Sequence, residues 1–381
     1  MSIKIIYAVN GRFPSERAYM VQIVQMCCAL VRKDVDLTLV VNSHQSTIRE
    51  EPQKYYGTSL PFPILKQWVP RFSINNKYTY FLQRIIFSAQ LIFLLKKQPD
   101  HLLYCRDEWI VFLISFFLPK YKIIWESHEA KFNFAAKKII KKGVKCVCIS
   151  EGIYNEYFRR GVSCSQMIVA HDGIDDTFFE EMPSRLAARK ELGLGVDEKI
   201  VMYIGGLDAW KGIETLFLAS AFLKKMKLVI IGGSFEQIEH YSNLYSEITF
   251  LGARPYRDLK YHQQAADVLV VPNTAKNNLS GSYTSPLKLF AHMTAKIPIV
   301  LSDIPSLKSV VCEDCAFWFE PDNPQSLAEA IEEALMLNSS KENTMILKCY
   351  NLSKNYTWTR RAEAILNFIL GNNLDNGKNS K

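Results

Sequence analysis

The chain has 381 residues, of which 48% are hydrophobic and 22% charged, and carries a net charge of +8 from 46 Lys and Arg against 38 Asp and Glu. That length suits two domains of roughly 150–200 residues, each able to bury its own core, and the composition argues against a disordered chain. The modest positive excess fits a nucleotide phosphate, an anionic membrane surface or nucleic acid, but no recognition motif accompanies it, so no nucleic-acid partner is expected.

In chain order, short β-rich runs alternate with helix-length periodic segments, the pattern of parallel sheets covered by helices. The N-terminus enters a strand directly, Ile3–Val9, with no signal peptide expected. The next strands are expected at Leu37–Val41, His101–Tyr104, Lys122–Trp125, Lys145–Ile149 and Met167–His171. A helix between the first two places Met20, Ile23, Val24, Cys27 and Val31 on one face. Tyr78–Leu95 and Ile110–Leu118 are apolar enough to test as membrane spans, but the first contains Gln83, Arg84 and Gln90 and the second is too short. Asp172–Asp197, rich in turn residues and charge, reads as a linker. The pattern then restarts with strands at Ile200–Ile204, Leu228–Ile231, Ile248–Leu251, Val268–Val271 and Ile299–Leu301, and helices at Ser326–Leu337 and Thr359–Leu370. The polar tail after Gly371 reads as disordered.

The nine cysteines include the adjacent Cys27 and Cys28 on a helix, and Cys146 and Cys148 alternating along a strand. They read as small core residues of a reducing compartment rather than a disulfide framework. The expected domains are an N-terminal Rossmann-like domain over 1–175, a second over 176–355, a closing helix over 356–371 that packs back on the first, and the tail 372–381. The expected fold class is α/β, two doubly wound domains facing a cleft. Ligands in such sheets bind beyond the carboxyl ends of the strands, so the strand-to-helix loops are where function should sit.

Four loops stand out. In Asn10-Gly11-Arg12-Phe13-Pro14-Ser15-Glu16, Gly11 permits close backbone approach and Ser15 can cap the following helix, leaving free N–H groups for a phosphate. The alternative is a plain capped turn. In Gly205-Gly206-Leu207-Asp208-Ala209-Trp210-Lys211-Gly212, two glycines and a lysine supply what a diphosphate needs, a backbone that comes close and a mobile cation. In Ser280 to Phe290, Pro286 suits the first turn of a helix; the N–H groups of Leu287 and Lys288 are then available, Lys288 adds charge and Ser285 precedes them. In Glu126-Ser127-His128-Glu129, a histidine between two carboxylates follows a buried strand, which reads equally as a polar site or a structural histidine.

Taken together, these segments resemble family-four retaining glycosyltransferases. Ile149-Ser150-Glu151-Gly152-Ile153 and Ala170-His171-Asp172-Gly173-Ile174-Asp175 resemble their hinge-side segments, and Gly205–Gly212 their donor loop. Phe250-Leu251-Gly252, then Ala265-Ala266-Asp267-Val268 and Pro272, resemble their nucleotide-side strand and loop. The run from Thr284 to Val311 resembles their most recognisable segment, and Tyr356-Thr357-Trp358 their closing element. The resemblance implies a GT-B fold and transfer from a nucleoside-diphosphate sugar with retention, with neither a cofactor nor a catalytic metal. By position it implies that Lys211 steadies the departing diphosphate and that Lys288 and the Leu287 backbone hold phosphate or sugar. It also implies that His128 lines the acceptor-side pocket and that the stretch around Arg254 and Pro255 passes under the base.

Two departures from the family pattern bear on activity. Gly206 stands where the family commonly has an arginine, and the family's pair of glutamates would fall at Tyr283 and Ala291. Losing one charge-assisted hydrogen bond costs roughly 1.5–3 kcal/mol, about ten- to a hundredfold in donor binding. His292 is a candidate substitute. The expected function is transfer of a sugar to a glycan or lipid-linked acceptor in surface polysaccharide assembly. Its setting is the cytoplasm, with peripheral contact at the inner face of a membrane suggested by Lys137–Lys145 and Phe81–Leu95. The alternatives are a non-catalytic homologue acting as a partner subunit and a nucleotide-sugar epimerase.

Overall fold

A computed structural model describes residues 2–72, 76–336 and 339–371. Two compact units emerge: residues up to His171 rejoined from Trp358 onward, and Asp172–Thr357. The chain thus passes from the first unit to the second at 171–172, a few residues before the 175–176 boundary expected from sequence, and returns at 357–358.

The first unit holds seven strands, β1 (Lys4–Ala8), β2 (Asp36–Asn42), β3 (Ile64–Gln67), β4 (Leu102–Cys105), β5 (Ile123–Ser127), β6 (Lys145–Cys148) and β7 (Met167–Val169), in the order β3-β2-β1-β4-β5-β6-β7. Every pairing is parallel. Such strands are covered on both faces, which is why β1, β4 and β5 are almost wholly buried and read as unbroken apolar runs. The helix Ala18–Val31 is buried nearly all round, from Met20 to Leu30, rather than along the one face its periodicity suggests. The strand β3 escapes the sequence reading because it is an edge strand with two exposed residues and a weak apolar pattern.

The second unit holds β8 (Ile200–Ile204), β9 (Lys227–Ile231), β10 (Thr249–Phe250), β11 (Val268–Val271), β12 (Ile299–Ser302) and β13 (Phe317–Phe319), parallel and in the order β10-β9-β8-β11-β12-β13. Both sheets run outward from a central pair in opposite directions, the doubly wound order whose switch point lies between β1 and β4 in one and between β8 and β11 in the other. Two apolar clusters, on Leu216, Phe217 and Ile331 and on Phe290, Leu301 and Leu307, form much of this unit's core.

The segment Asp172–Asp197 is not a bare linker. It contains the helix Arg185–Leu192, started by the Ser184 side chain accepting from Ala187 N–H. Arg189, 3% exposed, donates to Asp267 Oδ2 at 2.7 Å and to Ala265 O at 3.0 Å, and Asp267 also accepts from Ile200 N–H at 2.7 Å. One buried carboxylate therefore ties this helix to the starts of β8 and β11, and the segment belongs to the second unit. The expectation that the nine cysteines hold no Cys-x-x-Cys pair and are all small core residues is corrected by Cys312 and Cys315, which have that spacing and are bonded to each other. The helix expected to end at Leu337 spans Pro324–Met336, and Leu337 and the tail 372–381 lie outside the described residues.

Candidate functional site

In the second unit the loops that follow β8 and β11 flank the switch point. Their backbones touch: a Cβ on Gly212, held at φ 73°, would lie 1.8 Å from Pro272 O, so only glycine fits. Gly232, after β9, is equally constrained, its Cβ position lying 2.0 Å from Gly205 O. The turn after β8 is thereby pressed between its neighbours, and Gly205 N–H donates to Ile231 O at 2.8 Å.

Two lysines converge on this turn. Tyr203, buried in β8, donates from its hydroxyl to Gly206 O at 2.8 Å and accepts from Lys288 Nζ at 3.1 Å. Lys211 Nζ pairs with the exposed Asp208 carboxylate at 2.7 Å, and a Cβ at Gly206 would lie 2.6 Å from that ammonium. Gly206 therefore leaves the room into which Lys211 folds. Burial, and then the neighbouring Lys211, push the Lys288 ammonium well below the usual lysine range. Two lysines share one turn with Asp208 as the carboxylate paired there, an arrangement that an anion of more than one charge would complete.

Lys288 lies in the first turn of the helix Leu287–Thr294, whose leading N–H groups have no intrahelical acceptor. Pro286 is the residue before this helix rather than within its first turn. Ser285 is buried and its hydroxyl accepts from Asp172 N–H at 2.9 Å, so its oxygen braces the chain crossing. Ala291 is buried in the apolar core, and Arg254 is exposed on the loop after β10. His292 is buried beside Gln263 (Nδ1 to Oε1 3.4 Å), and among the described residues its Nε2 has no hydrogen-bond partner.

In the first unit, Glu126 is fully buried at the end of β5. Its carboxylate accepts from the Tyr104 hydroxyl, from Arg361 Nη2 at 3.0 Å and from His128 Nε2 at 2.6 Å, and faces Arg106 Nε at 3.8 Å. Burial alone would raise its pKa, but Arg361, His128 and Arg106 outweigh that and hold it well below the carboxylate range. Among the described residues His128 pairs with Glu126 and not with Glu129, whose carboxylate lies by Lys131. The sequence reading missed Arg361, whose position one helical turn before the apolar Ile365 was the available signal. Gly11 is buried, its N–H donating to Val9 O at 2.9 Å, and a Cβ there would meet the Tyr19 hydroxyl at 2.7 Å. Ser15 is not the helix cap: Arg17 occupies that position, while buried Ser15 exchanges two backbone hydrogen bonds with the Tyr56 hydroxyl at 2.7 and 2.9 Å. The sequence therefore gathers Gly205, Gly206, Lys211, Leu287 and Lys288 in the second unit, and leaves Gly11, Ser15 and His128 in the first.

Partly exposed His128 and buried His292 predict an acid-side loss of stability. Burial, then Arg106, depresses His128 from 6.5 to about 4; burial, then Lys288, depresses His292 from 6.5 to about 3. Between pH 6.5 and these values the unfolded chain binds protons that the folded one does not, so stability falls as pH falls across that window. Thermal melts from pH 7 to about 4.5 should show the decline, and His292→Gln should flatten it.

Residues 184–348 match the family described as Glycosyl transferases group 1. A D-inositol 3-phosphate glycosyltransferase of Corynebacterium aurimucosum is 25% identical over 225 residues, 54% of this chain and 51% of that protein. A glycosyltransferase from Rickettsia africae superposes with a TM-score of 0.76 at 13% identity, over 98% of this chain and 100% of that one. An Anabaena protein, HepE, solved with UDP-glucose, gives 0.74 at 15% identity, over 97% and 100%. The fold is GT-B. The group 1 match includes Gly205–Gly212 and Leu287–Lys288, whereas Glu126 and His128 fall outside it. The chain spans about half the length of the curated relatives it matches.

Proposed function

We propose that this protein is a glycosyltransferase that takes a sugar from a nucleoside-diphosphate donor held by the second unit and passes it, with retention, to a glycan or lipid-linked acceptor. The observation that carries the reading is the convergence of Lys211 and Lys288 on the Gly205–Gly206 turn, beside the first turn of the helix Leu287–Thr294. As the donor's bond to the anomeric carbon breaks, negative charge grows on the leaving diphosphate. Preformed ammonium and N–H donors there stabilise the transition state more than the ground state. Lys211 would exchange Asp208 for a phosphate oxygen, and Lys288 would regain a full positive charge against the second anion. This assignment does not need the arginine absent at Gly206, because Lys211 occupies the space its side chain would enter. The family match over 184–348 supports the same placement.

Slow hydrolysis of the donor in the absence of acceptor tests both parts of the proposal. Incubation with nucleotide sugars should release a nucleoside diphosphate, and the first-formed free sugar, followed by NMR before it equilibrates, should keep the donor's anomeric configuration. The inverted sugar would refute retention. Ala291 favours a second reading, a homologue that binds partners without transferring sugar, because its side chain offers no hydrogen bond and packs in an apolar core. That reading predicts no release from any nucleotide sugar.

A further inference from the structure

The first unit carries an apolar surface that the donor chemistry does not use. The helix Lys77–Lys96, 20 residues long, is apolar and long enough to cross a membrane by length and composition, with 28% of its most apolar window buried. Its inward face, from Gln83 through Phe87, Ser88 and Leu91 to Leu95, packs on the unit, and Arg84 turns to Asp107 at 2.6 Å. At about 100° per residue, Tyr78, Phe81, Leu82, Ile85, Ala89 and Phe93 fall on the opposite face, all exposed and without a charge among them.

That face continues onto two neighbouring helices. Phe81 meets Trp109 at 5.1 Å between ring centroids, Trp109 meets Phe112 at 6.2 Å, and Phe112 meets Phe116 at 6.3 Å and Phe134 at 5.5 Å. Phe93, Phe116, Phe117 and Phe134 are 57–63% exposed. Lysines edge the rings: Lys97 lies 4.4 Å from Phe93, Lys138 5.4 Å from Phe134 and Lys142 5.8 Å from Phe116. Exposed Lys137 and Lys141 extend the positive rim. A contiguous aromatic surface of this kind is uncommon on a protein surrounded by water, and amphipathic rings bordered by lysines match the boundary between acyl chains and anionic headgroups.

We infer that the helices Lys77–Lys96, Glu108–Phe117 and Phe134–Lys141 form a docking face for an anionic bilayer, with the long helix lying in the plane of the interface. Its packed inner side keeps it from crossing. Insertion of the rings supplies an apolar term that salt does not screen, and the lysines add an electrostatic term that salt weakens.

The test is cosedimentation of the full chain with vesicles of phosphatidylcholine alone or mixed with phosphatidylglycerol. The protein should pellet with the mixed vesicles, less so as salt rises. The triple substitution Phe93→Ser, Phe116→Ser and Phe117→Ser should weaken binding by roughly tenfold or more. Lys138→Glu with Lys142→Glu should weaken it by at least roughly fivefold per lysine, on the anionic vesicles only. All three aromatic positions are exposed, and unchanged melting temperatures and an intact nucleotide-induced shift would separate loss of this face from loss of the donor site. The inference is overturned if the wild type ignores mixed vesicles, or if the serine variant binds them equally well. It is also overturned if sedimentation velocity shows a dimer that the same substitutions dissolve, since a second copy would then cover the face.

Discussion

Lys288→Met is expected to slow sugar transfer, or donor hydrolysis, by about 10²–10³-fold without lowering the melting temperature. The two effects have one cause. In the free protein the Lys288 ammonium is disfavoured, first by burial and then by Lys211, so a neutral side chain of similar volume relieves a cost. With a diphosphate bound, the same ammonium faces two anionic groups and contributes to holding the leaving charge. The substitution should therefore separate stability from activity, which a residue with only a packing role would not do. Steady-state rates and thermal melts on the same preparation check it. A lowered melting temperature with an unchanged rate would assign Lys288 to the scaffold.

Arg361→Met carries the largest expected stability effect, a loss of roughly 3–5 kcal/mol in urea unfolding. Arg361 and Glu126 lie 235 positions apart in the chain, and both side chains are almost wholly buried. Arg361 also donates from Nε to Ala170 O at 3.3 Å, so its loss strips a partner from the carboxylate and from the chain end of β7. The remaining partners, His128, Tyr104 and Arg106, then carry the buried charge alone. Adding Glu126→Gln should recover much of the loss, because it removes the uncompensated charge. Equal stability of the single and double variants would show that the pair is not what holds the last helix to the first unit.

Much of the fold was legible in the residues. Parallel strands buried on both faces write themselves as apolar runs, and β8 and β11 lie at the very bounds the sequence suggests. The strand β3, half exposed, and the three-residue β13 carry too little pattern to stand out. The site was legible where chemistry needs a local motif: a Gly-Gly turn followed by Lys211, and Leu287 and Lys288 opening a helix. It was not legible where partners come from distant segments. Tyr203 reads as one more core residue of β8, yet its hydroxyl joins Gly206 to Lys288. Ser15 failed as a helix cap for a similar reason, since the distant Tyr56 hydroxyl claims it, whereas Pro286 marked the start of its helix to within one residue.

The most direct test of the donor site is a thermal-shift screen against UDP, GDP, ADP and their common sugar conjugates. A ligand that binds only the folded protein, present at about 100 times its Kd, adds about 2.7 kcal/mol, which a melt resolves. A clear shift is expected with one nucleoside diphosphate and its sugar conjugates, lost in Lys211→Ala and in Lys288→Met. Absence of a shift with every nucleotide, or a shift that both substitutions leave intact, would refute a donor site at these lysines.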